Sequence, residues 1–209
     1  NRIELRGLFG GTGGVLADRQ SLFDRCRAFG YSREDLRIII EPMVRDGKEP
    51  GGSMGDDTPL AVLSDVPRLL FNYFKQLFAQ VTNPAIDPIR EELVMSLTTY
   101  LGAQGNLLSE APEHARMLKL ATPILTCEDM ARIRAAKQPE FRHSTISTVF
   151  PAASGESGLE EALERIQDQA EKAAVDGYSI LILSDREVNV QNAPIPSLLA
   201  SAAVNRRLT

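Results

Sequence analysis

The sequence predicts an α/β fold, with a helical N-terminal half followed by a β-α-β-α run whose strands are parallel. Three observations carry this. Residues 144–150, STISTVF, are dominated by β-branched residues and read as a strand. Residues 178–185, YSILILSD, form an apolar run of strand length, as expected of a buried parallel strand. Between them, Leu159, Leu163, Ile166, Ala170 and Ala173 recur at helical spacing, and Gly177 ends the pattern. A strand-helix-strand connection of this kind is right-handed, which makes the strands parallel.

The remaining elements follow from caps and breakers. Residues 1–16 are expected to be a flexible, glycine-rich lead-in, with NRIEL as a short strand and five glycines between Gly7 and Gly14. Residues 17–138 are expected to be helical and 139–209 to be the β/α part. Asp18 caps a helix through Ala28, with Leu22, Phe23 and Cys26 on one side and Gly30 as its stop. Ser32-Arg33-Glu34-Asp35 resembles a capping box, and Pro42 limits or kinks the helix that follows. Residues 47–59, GKEPGGSMGDDTP, are the clearest loop. Pro67 opens a helix to about Phe78, with Leu70, Phe74, Leu77 and Phe78 on one face. Asp87 caps a helix with Pro88 at its first position. Ile89, Leu93, Leu97 and Leu101 point inward, and Gly102 stops it. Two short helices are expected between Ala111 and Ala136, divided by Pro123, with Thr126 capping the second. Residues 193–208 form the last helix.

Composition narrows the function. The chain has 209 residues, 43% hydrophobic and without Trp, so one sizeable domain with an aliphatic core is expected. A net charge of −5 argues against a general nucleic-acid grip, which needs a basic face. No apolar run approaches a bilayer span, and no charged-then-apolar leader opens the chain. Cys26 and Cys127 are too few for a disulfide scaffold, a Cys-based zinc finger or a cysteine-ligated iron–sulfur cluster. His114 and His143 leave little for a metal centre, and neither has the motif context of a cysteine nucleophile's partner.

Other candidates have ordinary alternatives. Gly10, Gly11, Gly13 and Gly14 fit neither a P-loop nor GxGxxG spacing, and a linker serves as well. Asp56 and Asp57 suit a hard cation or acid–base work, but equally a turn. Ser184-Asp185-Arg186 closes the apolar strand, where parallel sheets bind ligands. It is the place for a phosphate or flavin in a free-standing β/α module, or for an Asp–Arg pair that ties down the loop.

The loop segments go further. Gly47-Lys48-Glu49-Pro50, Gly52 through Ser64 (GSMGDDTPLAVLS) and Pro67-Arg68-Leu69-Leu70-Phe71 resemble the central domain of the glutamate synthase large (alpha) subunit. Phe78 through Pro84 (FAQVTNP), Ile86 through Glu91 (IDPIRE), Ile180 through Arg186 and Ala193 through Leu199 are similar to the same family. The likeness is collinear over about residues 20–204, although Ala203–Leu208 replaces a histidine-rich stretch of the family.

The resemblance implies a domain lying between a glutaminase domain, whose N-terminal cysteine releases ammonia, and a synthase domain with FMN and an iron–sulfur cluster. The latter reduces the 2-iminoglutarate formed from ammonia and 2-oxoglutarate, so the parent makes L-glutamate. The central domain itself is implied to be a rudimentary β/α barrel that walls the ammonia tunnel, non-catalytic and without a cofactor of its own. Ser53, Met54, Gly55, Asp56, Thr58, Thr82, Asn83 and Asp87 are the residues carried over to the tunnel or interdomain loops. Implied partners are the flanking domains and an electron-donating small subunit or ferredoxin, in a cytoplasmic setting or a plastid. Neutral Thr and Asn with apolar Met and Gly suit a wall that passes ammonia while excluding water and cations.

Overall fold

A computed structural model of the chain describes residues 3–4, 19–47, 59, 61–65, 68–74, 85–106 and 108–209. The expected β-α-β-α run is present. β4 (His143–Ser147) and β6 (Ile180–Ser184) pair in parallel, with Thr145 opposite Ile182 and Ile146 opposite Leu183. α5 (Gly155–Val175) connects them and stops at Gly177, whose φ of 78° suits glycine. α6 (Ser197–Leu208) packs beside α5.

Alternation along β6 divides the core. Ile180 and Ile182 join Leu118, Leu120, Ile133 and Phe141 on one face. Leu181 and Leu183 turn to the other, where Ile146, Ala162, Ile166, Ala170, Ile195, Ala200 and Val204 are buried. The buried stripe of α5 is rotated from the expected one. Ala162 and Gly158 are deep, whereas Leu159 and Leu163 are half-buried at its margin. Alanines on the inner face let α5 approach the strands, and the larger leucines fill the flank.

The segment expected as one strand, 144–150, is two. The first, β4, belongs to the parallel sheet, and β5 (Val149–Pro151) pairs antiparallel with β7 (Asn192–Pro194). Thr148 lies between them, 4% exposed. Its N–H donates to Ser184 O at 2.9 Å, and its carbonyl accepts from Ile195 N at 2.8 Å. The last helix therefore begins at Ser197, because residues 192–194 are in a ladder.

The N-terminal half departs further from expectation, since it contains a sheet. β1 (Ile3–Glu4) pairs parallel with β3 (Leu118–Leu120), and β2 (Thr99–Leu101) pairs antiparallel with β3. A 3-10 turn, Pro112–Ala115, and β3 replace the first of the two helices expected after Ala111. The second is α4 (Cys127–Ala135), and Thr126 caps it as expected. α3 (Pro88–Val94) ends seven residues before Leu101, because Thr98-Thr99-Tyr100 favours strand. Its residues Ile89 and Leu93 point outward, not inward, with Leu97 also exposed. Residues 70–73 form a 3-10 turn where an α-helix was expected, and residues 75–78 of that helix lie outside the described residues.

α1 (Arg19–Ala28) ends as expected at Gly30, whose φ is 74°. A side chain there would also fall 2.4 Å from Leu69 Cδ1. The Ser32 capping box is real: Ser32 N donates to Asp35 Oδ2 at 2.8 Å and Asp35 N to Ser32 Oγ at 3.1 Å. A π-helical stretch, Asp35–Ile40, runs into α2 (Glu41–Asp46). Pro42 lacks an N–H and crowds the carbonyl of Ile38, and the wider turn before it relieves that crowding.

Candidate functional site

The carboxyl ends of β4 and β6 are where the topology invites a ligand. Side chains from four elements meet there. Ser147 ends β4, and its Oγ donates to Glu187 Oε2 at 2.5 Å. Arg165, from α5, donates to Ser147 O at 3.2 Å and Val149 O at 2.9 Å, bridging the break between β4 and β5. Val188, 8% exposed, anchors the turn after β6, and its N–H bonds Asp185 O. Arg186 donates to Cys127 Sγ at 3.2 Å, tying this turn to the start of α4. Arg186 therefore serves Cys127, and among the described residues no ion pair joins it to Asp185.

Chemically, this edge is a knot rather than a cradle. Its cations point at protein carbonyls and a thiol, and Glu187 adds a carboxylate that repels phosphate. It does not fit FMN. Neither does the chain fit an iron–sulfur cluster, having two cysteines, one half-buried in α1 and the other exposed at the first position of α4. His114 packs over Gly105 and His143 is the first residue of β4. Among the described residues, no three His, Cys, Asp or Glu side chains gather as a metal site.

Of the eight loop residues singled out in the sequence, Ser53, Met54, Gly55, Asp56, Thr58, Thr82 and Asn83 lie outside the described residues. Asp87 is described, and it is a helix cap. Its Oδ1 accepts from Ile89 N at 3.1 Å and Arg90 N at 3.0 Å, while Oδ2 pairs with Arg90 Nε at 3.0 Å. It fixes where α3 starts. The capping Asp35 and Asp129 are both held below the usual carboxylate range. The Ser32 backbone N–H is the main cause for the first and the Thr126 hydroxyl for the second.

Sequence reasoning missed where the surface is unusual. Among the described residues, every buried hydrophobic lies at Leu118 or later. Exposed large apolar side chains instead concentrate before residue 125, including Val62, Leu63, Phe71, Phe74, Ile89, Leu93, Val94, Met95 and Leu97. Ile89 is 92% exposed and Leu93 82%, one turn apart on α3. The signal was present in the spacing of these leucines, but spacing alone does not say what the stripe faces.

The fold is that of a mixed α/β domain whose strand end is knotted and whose described residues before 125 expose large apolar side chains. The family model for the glutamate synthase central domain matches residues 24–209, and the chain belongs to that family. It is 47% identical over 187 residues to the glutamate synthase [NADPH] large chain of Bacillus subtilis (strain 168), covering 90% of this chain and 12% of that protein. Similarity to the glutamate synthase [NADH] of Schizosaccharomyces pombe is 45% over 195 residues, 92% of this chain and 9% of the relative. The ferredoxin-dependent glutamate synthase 2 of Synechocystis sp. is 44% identical over 195 residues, 91% and 12%. The chain thus spans about a tenth of the length of these relatives. No helix among the described residues is long and apolar enough to cross a membrane.

Proposed function

We propose that this chain is the connecting domain of a longer glutamate synthase polypeptide, seated between glutaminase and FMN/iron–sulfur synthase domains and forming part of the ammonia tunnel wall. The parent reaction is reductive transfer of the glutamine amide nitrogen to 2-oxoglutarate, with electrons from a small subunit or ferredoxin. The single observation that supports this reading most is the uncovered apolar surface before residue 125. Burying exposed apolar area contributes about 25 cal/mol per Å², and patches of this kind mark protein contacts. The C-terminal half supplies the rigid support. Its β4-α5-β6-α6 order is read as the remnant of a β/α barrel.

Within this reading the loop residues Ser53, Met54, Gly55, Asp56, Thr58, Thr82 and Asn83 face the conduit or the neighbouring domains, and Asp87 anchors the second loop. Thr82 passes ammonia by hydrogen bonding without holding it as ammonium, and Met54 is an adaptable apolar wall. The test is stoichiometric. In the parent enzyme, Thr82→Val removes the hydroxyl and Met54→Trp fills the bore. A conduit defect leaves glutamine hydrolysis running, while glutamate formed per glutamine falls and ammonia escapes. One-to-one coupling at the parent rate in both variants refutes the tunnel role.

A further inference from the structure

The outer edge of β4 is an unfinished ladder. Ile180 N donates to Arg142 O at 3.1 Å just before the strand, and Thr148 N donates to Ser184 O at 2.9 Å just after it. In a parallel ladder alternate residues turn both backbone groups to the partner. Arg142, Ser144, Ile146 and Thr148 therefore face β6, while His143, Thr145 and Ser147 present their backbone groups on the opposite side. Ser147 O is taken by Arg165. The outward groups of His143 and Thr145 have no backbone partner among the described residues.

Among the described residues nothing blunts this edge. Residues 143–147 contain no proline, lysine or bulge, the usual guards of an exposed strand. A groove of about 300 Å³ lies beside β4, lined by Thr145, Ile146 and Tyr178, by Gln169 and Lys172 of α5 and by Asp176 at its C-terminal end. A two-stranded parallel sheet is also short of the strand count that makes sheets stable, and parallel sheets are normally covered.

We infer that an extended segment of the longer polypeptide, from outside these 209 residues, adds to β4 as a third strand. This rests on reading the chain as one domain of a longer protein. A second copy fits poorly, because it would bring its own α5 to a groove that α5 already lines. A bare strand needs only the groove. Lys172 and Asp176 in its lining suit polar side chains of the incoming segment, whose covalent tether supplies a high effective concentration.

The test is residue-resolved amide hydrogen exchange on the full-length enzyme. Thr145 and Ser147 amides are expected to exchange at least ~100-fold slower than in an unstructured chain, as Ser144 and Ile146 do through β6. Free exchange at Thr145 overturns the inference. Thr145→Pro removes the outward donor and spares the β6 ladder. It is expected to speed exchange ~10-fold or more in one segment outside residues 1–209, which identifies the strand. Loosening confined to residues 1–209, or a dimer that becomes a monomer, overturns it. If the variant does not accumulate, the wild-type pattern decides alone. The connector reading is judged separately, by protection of the α3 face in the same data.

Discussion

Ile166 is the most informative single position for the packing of α5. It is fully buried, and α5 contacts β4, β5 and α6 around it. Ile166→Ala removes three carbons, about 2.4 kcal/mol at ~0.8 kcal/mol per buried group. A well-packed site cannot collapse, so the cavity adds more, and the total is expected at ~3–4 kcal/mol, inside the usual range for such changes. Leu163, half-buried at the flank of the same cluster, is expected to cost only ~1–2 kcal/mol on truncation to Ala, because part of its surface never leaves water. Urea unfolding followed by far-ultraviolet circular dichroism separates the two. With a slope of roughly 3 kcal/mol per molar, Ile166→Ala moves the midpoint down by ~1 M and Leu163→Ala by about half that. A larger loss for Leu163 than for Ile166 would mean that α5 is rotated onto its leucine face and that the core described above is wrong.

Thr126→Ala removes one arm of the α4 capping box and should cost ~0.5–2 kcal/mol in the same titration. Because Asp129 and Asp35 titrate below the usual carboxylate range when folded, their contribution is complete above that range. It disappears as pH falls through the lowered values, so a stability profile that is flat from pH 6 to about pH 2 refutes the caps. Asp87→Ala leaves two amides of α3 without their acceptor and should fray that helix. Faster exchange at Ile89 and Arg90 is the readout, and unchanged exchange there contradicts the cap. Finally, the purified 209-residue chain is expected to be colourless after incubation with FMN and gel filtration, and a stoichiometric yellow complex refutes that.

What the sequence made legible was whatever a local rule could decide. Gly177 after an amphipathic run, the apolar Ile180–Leu183 and the Thr126–Asp129 and Ser32–Asp35 pairs each specify their element through near neighbours. The three-residue strands β2, β3 and β7 did not emerge, because a strand that short has too few residues to show alternation. Their pairing is decided by partners distant in sequence. Ile89, Leu93 and Leu97 gave the right period but the wrong length and direction, since a periodic apolar stripe reads alike whether it faces a core or a neighbour. At the candidate site, Arg186 was legible as an anchor of the turn, yet its partner Cys127 lies fifty-nine residues away and nothing local names it. Resemblance placed the loop residues in the family; only Asp87 among them falls in the described residues, and its role is that of a cap.

Thr148 gives the chain a fixed count. One residue separates a strand that pairs in parallel with β6 from one that pairs antiparallel with β7, and both backbone groups of that residue are spoken for. Strand side chains alternate with a period of two. A single residue inserted between Ser147 and Val149 would therefore turn Phe150 from the α5 side to its opposite and pull Ser147 out of step with Arg165. Length variation among relatives of this domain should accordingly be excluded from this junction. It should be tolerated in stretches such as 103–106 and 108–110, where exposed residues separate β2 from the next turn and an added residue has no ladder to displace.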